Sequence, residues 1–162
     1  MLQEPIIDSP PDLLELANQA LAENNFPQAS AHFEQYANNL MNLDHLKAAF
    51  YFSMAAQCEK VNHSRALSLY QKLFKIYKQK GKVEESAKIL MEMGLVYLEL
   101  GKADVARKEF KIGMALYLEI VRDQIHCLGG PLTQSQHDYL VAILDKVKFC
   151  LDELYHKDSQ SP

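Results

Sequence analysis

Apolar positions along this chain return at steps of three and four. Ala29, Phe33, Tyr36, Ala37 and Leu40 show the spacing, and so do Leu140, Ile143, Leu144, Val147, Leu151 and Leu154. That period gathers side chains on one face of an α-helix, whereas a half-buried strand would alternate at every second residue. β-Branched runs of strand type are missing, and no glycine or proline occurs between Gln28 and Lys80. Chain breakers therefore sit at element ends, and the pattern predicts helix throughout.

Local signals divide that helix into seven. Ser9, Pro10, Pro11 and Asp12 combine a hydroxyl cap, prolines at the earliest helical positions and an acid in the first turn, opening a helix that runs to about Glu23. Asn24 and Asn25 interrupt it, and Pro27 opens a second helix ending near Asn42. Asp44 can cap a third reaching about Lys60, and Asn62 or Ser64 a fourth that stops at Gly81. The fifth spans roughly Val83 to Leu100, and the sixth runs from about Ala103 to Ile125, before Gly129, Gly130 and Pro131. Thr133 followed by Gln136 reads as a capping box for a seventh that reaches about His156.

Links this short join antiparallel neighbours. The expectation is a single domain over 9–156, with hairpins at about 9–42, 44–80 and 83–126 and a capping helix at 133–156. Residues 1–8 are expected to be a flexible N-terminus, and 157–162 a disordered tail.

The clearest repeating unit is Ala87 to Leu118. Leu90, Met93, Gly94 and Tyr97 precede Gly101, and Ala106, Phe110 and Gly113 follow on the next helix. These residues resemble the signature of the tetratricopeptide repeat, in which small residues let two helices approach and large ones fill between. Gly94 and Ala106 match the small sites, Tyr97 and Phe110 the large ones. Leu13, Leu16, Ala17, Ala20, Ala29 and Phe33 match a first unit, with Ala20 where an aromatic is expected. Phe50, Ala66 and Tyr70 match a middle unit, where Met54 falls on a small site unless Ala55 or Ala56 takes it. From Phe33 to Tyr70 is 37 positions and from Tyr70 to Phe110 is 40, against about 34 in the standard repeat. The resemblance thus implies a long-helix variant, an all-α, right-handed solenoid of three helical hairpins closed by the seventh helix.

Composition removes whole classes of function. Hydrophobic residues at 48% and charged residues at 23% exclude wholesale disorder. A net charge of −4 disfavours nucleic acid as a partner. Lys72, Lys75, Lys78, Lys80 and Lys82 form a local basic run, read as a solvated helix face because Leu73, Phe74, Ile76 and Tyr77 interleave with them. The N-terminal stretch carries no basic residue and no apolar run, so neither part of a secretory signal is present, and no segment has the apolar length to span a bilayer. A cytoplasmic protein without membrane insertion is expected. Cys58, Cys127 and Cys150 form no close pair and read as reduced thiols.

No phosphate loop, nucleophile elbow or zinc-protease pair occurs, so neither an enzyme nor a cofactor is expected. His126, Cys127 and His137 are the only hint of metal chemistry; their irregular spacing and the lack of a fourth ligand argue against it. Function is therefore expected from a surface that binds another protein. In the family this chain resembles, the first helix of every hairpin lines a concave groove. Those positions are Leu14, Asn18 and Leu21, then Tyr51, Phe52 and Ala55, then Lys88, Met91, Glu92, Leu95, Leu98 and Glu99. An apolar floor edged by Glu15, Glu59, Glu92 and Glu99 suits an amphipathic, partly basic peptide or helix, as an adaptor or assembly subunit would hold.

Some repeats of this kind clamp the acidic tail of a heat-shock chaperone. Here Asn18 and Lys88 agree with that clamp but Leu14, Phe52 and Glu92 do not, so it is rejected. Two alternatives stand beside the adaptor. Size, acidity and repeat number resemble bacterial type III secretion chaperones, which hold amphipathic clients. A self-assembling structural protein, dimerising through the seventh helix, is the other.

Overall fold

The computed structural model describes residues 12–155. Seven α-helices occupy most of them, with no strand among the described residues: α1 Leu13–Ala22, α2 Phe26–Leu40, α3 His45–Cys58, α4 His63–Gln79, α5 Val83–Glu99, α6 Ala103–His126 and α7 Gln134–Tyr155. The all-α architecture expected from periodicity is the one adopted. The expected cap at Ser9, the flexible 1–8 and the tail 157–162 lie outside the described residues.

Local chemistry sets the boundaries. Asp12 caps α1 rather than sitting in its first turn, its Oδ1 accepting from Leu14 N at 3.0 Å. Asp44 Oδ1 accepts from Leu46 N and Lys47 N, and Asn62 Oδ1 from Arg65 N. At α7 the capping box is reciprocal: Thr133 N donates to Gln136 Oε1 and Gln136 N to Thr133 Oγ1. α5 and α6 start without a side-chain cap, at Lys82 and Lys102. Each follows a glycine at positive φ, +67° at Gly81 and +71° at Gly101, after which an N–H reaches back five residues to the preceding helix. Asn24, at φ 56°, makes the same closure after α1. Asparagine is among the few residues that enter this region readily.

The chain divides into two units, Met1–Leu69 and Tyr70–Pro162, and the division falls inside α4. In the first, α1 packs on α2 and α2 on α3. Alanine dominates the contact surfaces: Ala17, Ala20, Ala29, Ala37, Ala48, Ala49, Ala55 and Ala56 are buried, with Phe33 and Phe52 filling the space the small residues leave. Each such phenylalanine contributes about 1.5–3 kcal/mol by leaving water. Glu59 is also buried, at 6% exposure, because Arg65 Nε donates to it while Arg65 Nη2 donates to Glu34 Oε2 at 2.7 Å.

Burial resolves the register of the middle repeat. Ala49, Phe52, Ala55 and Ala56 are buried as Ala87, Leu90, Met93 and Gly94 are, a constant offset of 38 positions. Ala56 therefore takes the small site. Phe50, matched to the repeat from sequence, is 57% exposed and belongs outside that core.

In the second unit α5 packs on α6 and α6 on α7. A Cβ at Gly94 would come within 2.8 Å of the Phe110 ring, so the glycine is what admits that ring against α5. α7 buries Leu140, Ile143, Val147, Cys150 and Leu154, a stripe at steps of three and four. Leu144 and Leu151, assigned to that stripe from sequence, are instead 46% and 37% exposed; Cys150 takes the inward place between Val147 and Leu154. No helix among the described residues is long and apolar enough to cross a membrane.

Candidate functional site

Lys88, Met91, Glu92 and Leu95 share one face of α5, at steps of three, one and three. They line a cavity of about 300 Å³ together with Tyr117 of α6 and Lys146 and Phe149 of α7. Glu84, one turn before Lys88, fixes α7 alongside α5. Its Oε1 accepts from Lys146 Nζ at 3.2 Å and its Oε2 from Tyr139 Oη at 2.9 Å. Lys146 Nζ also lies 5.4 Å from the centroid of the Tyr117 ring, and Phe149 meets Phe110 edge to face at 6.4 Å.

Tyr117 is wholly buried, and its hydroxyl has no hydrogen-bond partner. Burial pushes its pKa far up, and the charges of Cys150, Glu84 and Glu92 push the same way. It therefore stays a neutral donor. An unpaired buried hydroxyl costs about 1–3 kcal/mol. The walls, from Met91, Leu95 and Phe149, are apolar and suit a bulky side chain. Methionine adds a flexible, polarisable contact that adapts to different shapes.

The structure thus brings together four of the six residues that the sequence named on α5. The fifth, Leu98, packs against the core of Ala106, Phe110, Cys150 and Leu154, and the sixth, Glu99, is exposed at the end of the helix. On α1, Leu14 and Leu21 are half-buried and Asn18 is exposed. On α3, Tyr51 is half-buried in an aromatic cluster, 4.7 Å from Tyr36 and 5.2 Å from Phe50 between ring centroids. Phe52 and Ala55 lie in the core of the first unit, at 1% and 0% exposure, so neither is presented to a partner. Nor is Glu59 an edge of any groove, since it is buried against Arg65.

Sequence reasoning missed Tyr117, Lys146 and Phe149. Lys146 and Phe149 are three apart on α7, beside its buried stripe, and drawing the groove from the first helix of every hairpin left that helix out. Among the described residues no group of three or more histidine, cysteine or acidic side chains is placed to hold a metal.

Residues 11–121 match the model of the family described as SNAP, soluble NSF attachment protein. The match runs from before α1 into α6 and stops short of α7. No curated protein and no solved structure matches the chain.

Proposed function

The chain belongs to the soluble NSF attachment protein family, helical-repeat adaptors that work by binding other proteins, and from that premise we propose that it holds an amphipathic helix or peptide of a partner in the α5–α6–α7 cavity. The observation that carries this reading is the concavity itself, where an apolar wall is edged by Lys88, Glu92 and Lys146. Lys146 is already engaged by Glu84, and Glu92 offers a carboxylate to a basic residue beside the partner's apolar face, with Lys88 one turn away to meet an acidic one. As in the family's name, the bound segment would be attached to an NSF-type protein, in the cytoplasm. The hairpins are of the long tetratricopeptide kind in this reading, and 9–156 acts as one domain.

The test is Met91→Glu with Leu95→Glu in the full chain. Both side chains are half-buried at the cavity wall and also pack on the core, so binding is read on a variant that circular dichroism shows to be folded, where a basic amphipathic peptide should be released and co-sedimentation with an NSF-type protein bridged to its client lost. Unchanged binding in a folded double variant would remove the cavity from the function.

A second reading, self-association through α7, is favoured by Val141, Leu144, Leu151 and Tyr155, which are exposed on one side of that helix. Light scattering on the full chain decides it, with Leu144→Glu and Leu151→Glu expected to give a monomer; a monomeric wild type removes it.

A further inference from the structure

The basic run Lys72–Lys82 borders a second concavity within the Tyr70–Pro162 unit. Phe74 and Lys78 of α4, Gly81 and Lys82 of the turn, Val83 and Ser86 of α5, and Ile112 and Leu116 of α6 enclose about 170 Å³. The lining is almost wholly apolar. Its one hydroxyl, Ser86 Oγ, donates to Lys82 O at 2.7 Å and has no proton to offer a ligand. Ile112 stands at the surface, 49% exposed, although Val83, Phe74 and Leu116 beside it are half-buried. An apolar lip above an apolar floor costs solvation unless something covers it.

Charge at this mouth has one dominant sign. Lys78 and Lys82 line it, and Lys75 and Lys80 are exposed on the same stretch of chain. Lys78 Nζ is held 5.9 Å from the centroid of the Phe74 ring, which keeps the ammonium beside the opening. Lys108 and Lys111, exposed on α6, lie one turn before Ile112 and next to it. The acids nearest in sequence to the lining are Glu84 and Glu85 on α5 and Glu109 on α6, all half-buried, and exposed Glu119, which Arg122 approaches at 3.9 Å; none of them lines the concavity. The cavity is smaller than the roughly 300–1,000 Å³ that drug-sized ligands occupy, and has room for one large side chain.

We propose that this concavity is a second docking site, which takes a bulky apolar side chain from an acidic helical segment of a protein partner. Lysines around a single apolar pocket fit an anchor residue with carboxylates on either side. The cavity at Met91 and Leu95 has a carboxylate, Glu92, among its lysines, whereas no acid lines this one, so the two sites take different segments. A lipid surface is the weaker fit, because a bilayer is engaged by protruding apolar groups, and here they enclose a hollow.

The test uses a labelled amphipathic peptide with leucine on one face and glutamate on its flanks, titrated into the full chain by fluorescence anisotropy. Beside it run a lysine-flanked analogue and phosphatidylserine vesicles. The acidic peptide should bind, and raised salt should weaken it. Lys78→Glu with Lys82→Glu, or Ile112→Glu alone, should weaken it by about tenfold or more with circular dichroism unchanged. The Met91→Glu, Leu95→Glu variant should retain it, which keeps this site's failure distinct from that of the other cavity. No binding of the acidic peptide, equal binding of the basic analogue, or binding indifferent to Lys78, Lys82 and Ile112 would overturn the proposal. Lysine-dependent binding of vesicles with none of the peptide would overturn it in favour of a membrane surface.

Discussion

Tyr117 is the side chain whose chemistry is least settled by its own fold. Its ring fills the core while its hydroxyl finds no partner. Tyr117→Phe removes a hydroxyl that makes no hydrogen bond in the fold, so stability to urea should be unchanged or slightly raised. A clear loss of stability would mean that the hydroxyl is satisfied in solution. The cysteines offer an independent check of burial. Cys127 is exposed, whereas burial drives the Cys150 thiol up to about 11 and raises that of Cys58 as well. Near pH 8, only a small fraction of either buried thiol is the reactive thiolate. Iodoacetamide on the native protein should therefore modify Cys127 first, with Cys58 and Cys150 labelled only after unfolding. Mass spectrometry after brief exposure reads this directly.

At the scale of helices, close approach is the governing event. Gly94→Ala places a methyl group 2.8 Å from the Phe110 ring, which is buried and has little room to turn aside. A cost of about 1–3 kcal/mol is expected, seen as a lower urea midpoint with the same slope. If Gly94→Ala proves neutral, α5 and α6 are further apart than described.

The helices themselves were legible in sequence because their signals are local. Asp44, Asn62, Gly81, Gly101 and the Thr133–Gln136 pair each act within a turn of their own position, and each sets a boundary within a residue or two of expectation. What lay across helices was harder to read. α3 carries apolar residues around more than half its circumference, so periodicity alone could not choose between Phe50 and Phe52 as the inward ring. On α5 the named face was found because one helix supplies it. Lys146 and Phe149 reach the same cavity only through the way α7 docks, and no spacing on α5 encodes that.

For the whole molecule, the family match and the cavity do not share a boundary. Four lining residues come from α5 and one from α6 inside the matched range, and two come from α7 outside it. Two of the seven lining residues are thus supplied by a segment that the family pattern does not specify. The question of one domain or two is open to calorimetry. The division between units falls within α4, beside buried Leu69 and Leu73, rather than in an exposed linker rich in glycine or proline. One thermal transition is expected, coincident by calorimetry and circular dichroism, and two resolved transitions would refute a single cooperative domain.

The unequal lengths of neighbouring helices have a kinetic meaning. α6 outruns α5, and from Arg122 to Cys127 every residue is exposed, Ile125 at 54%. Backbone hydrogen bonds there have no tertiary cover and should open far more often than those at Phe110 or Tyr117. Amides of this stretch should exchange with deuterium within the earliest times, well before those at the centre of α6. A strand of chain that frays on its own is a tether with slack. α7 hangs from it but is moored by its own buried stripe and by Glu84, so the slack should be taken up in the link while the cavity's outer wall keeps its place, and amides of α7 facing the core should exchange as slowly as those at the centre of α6.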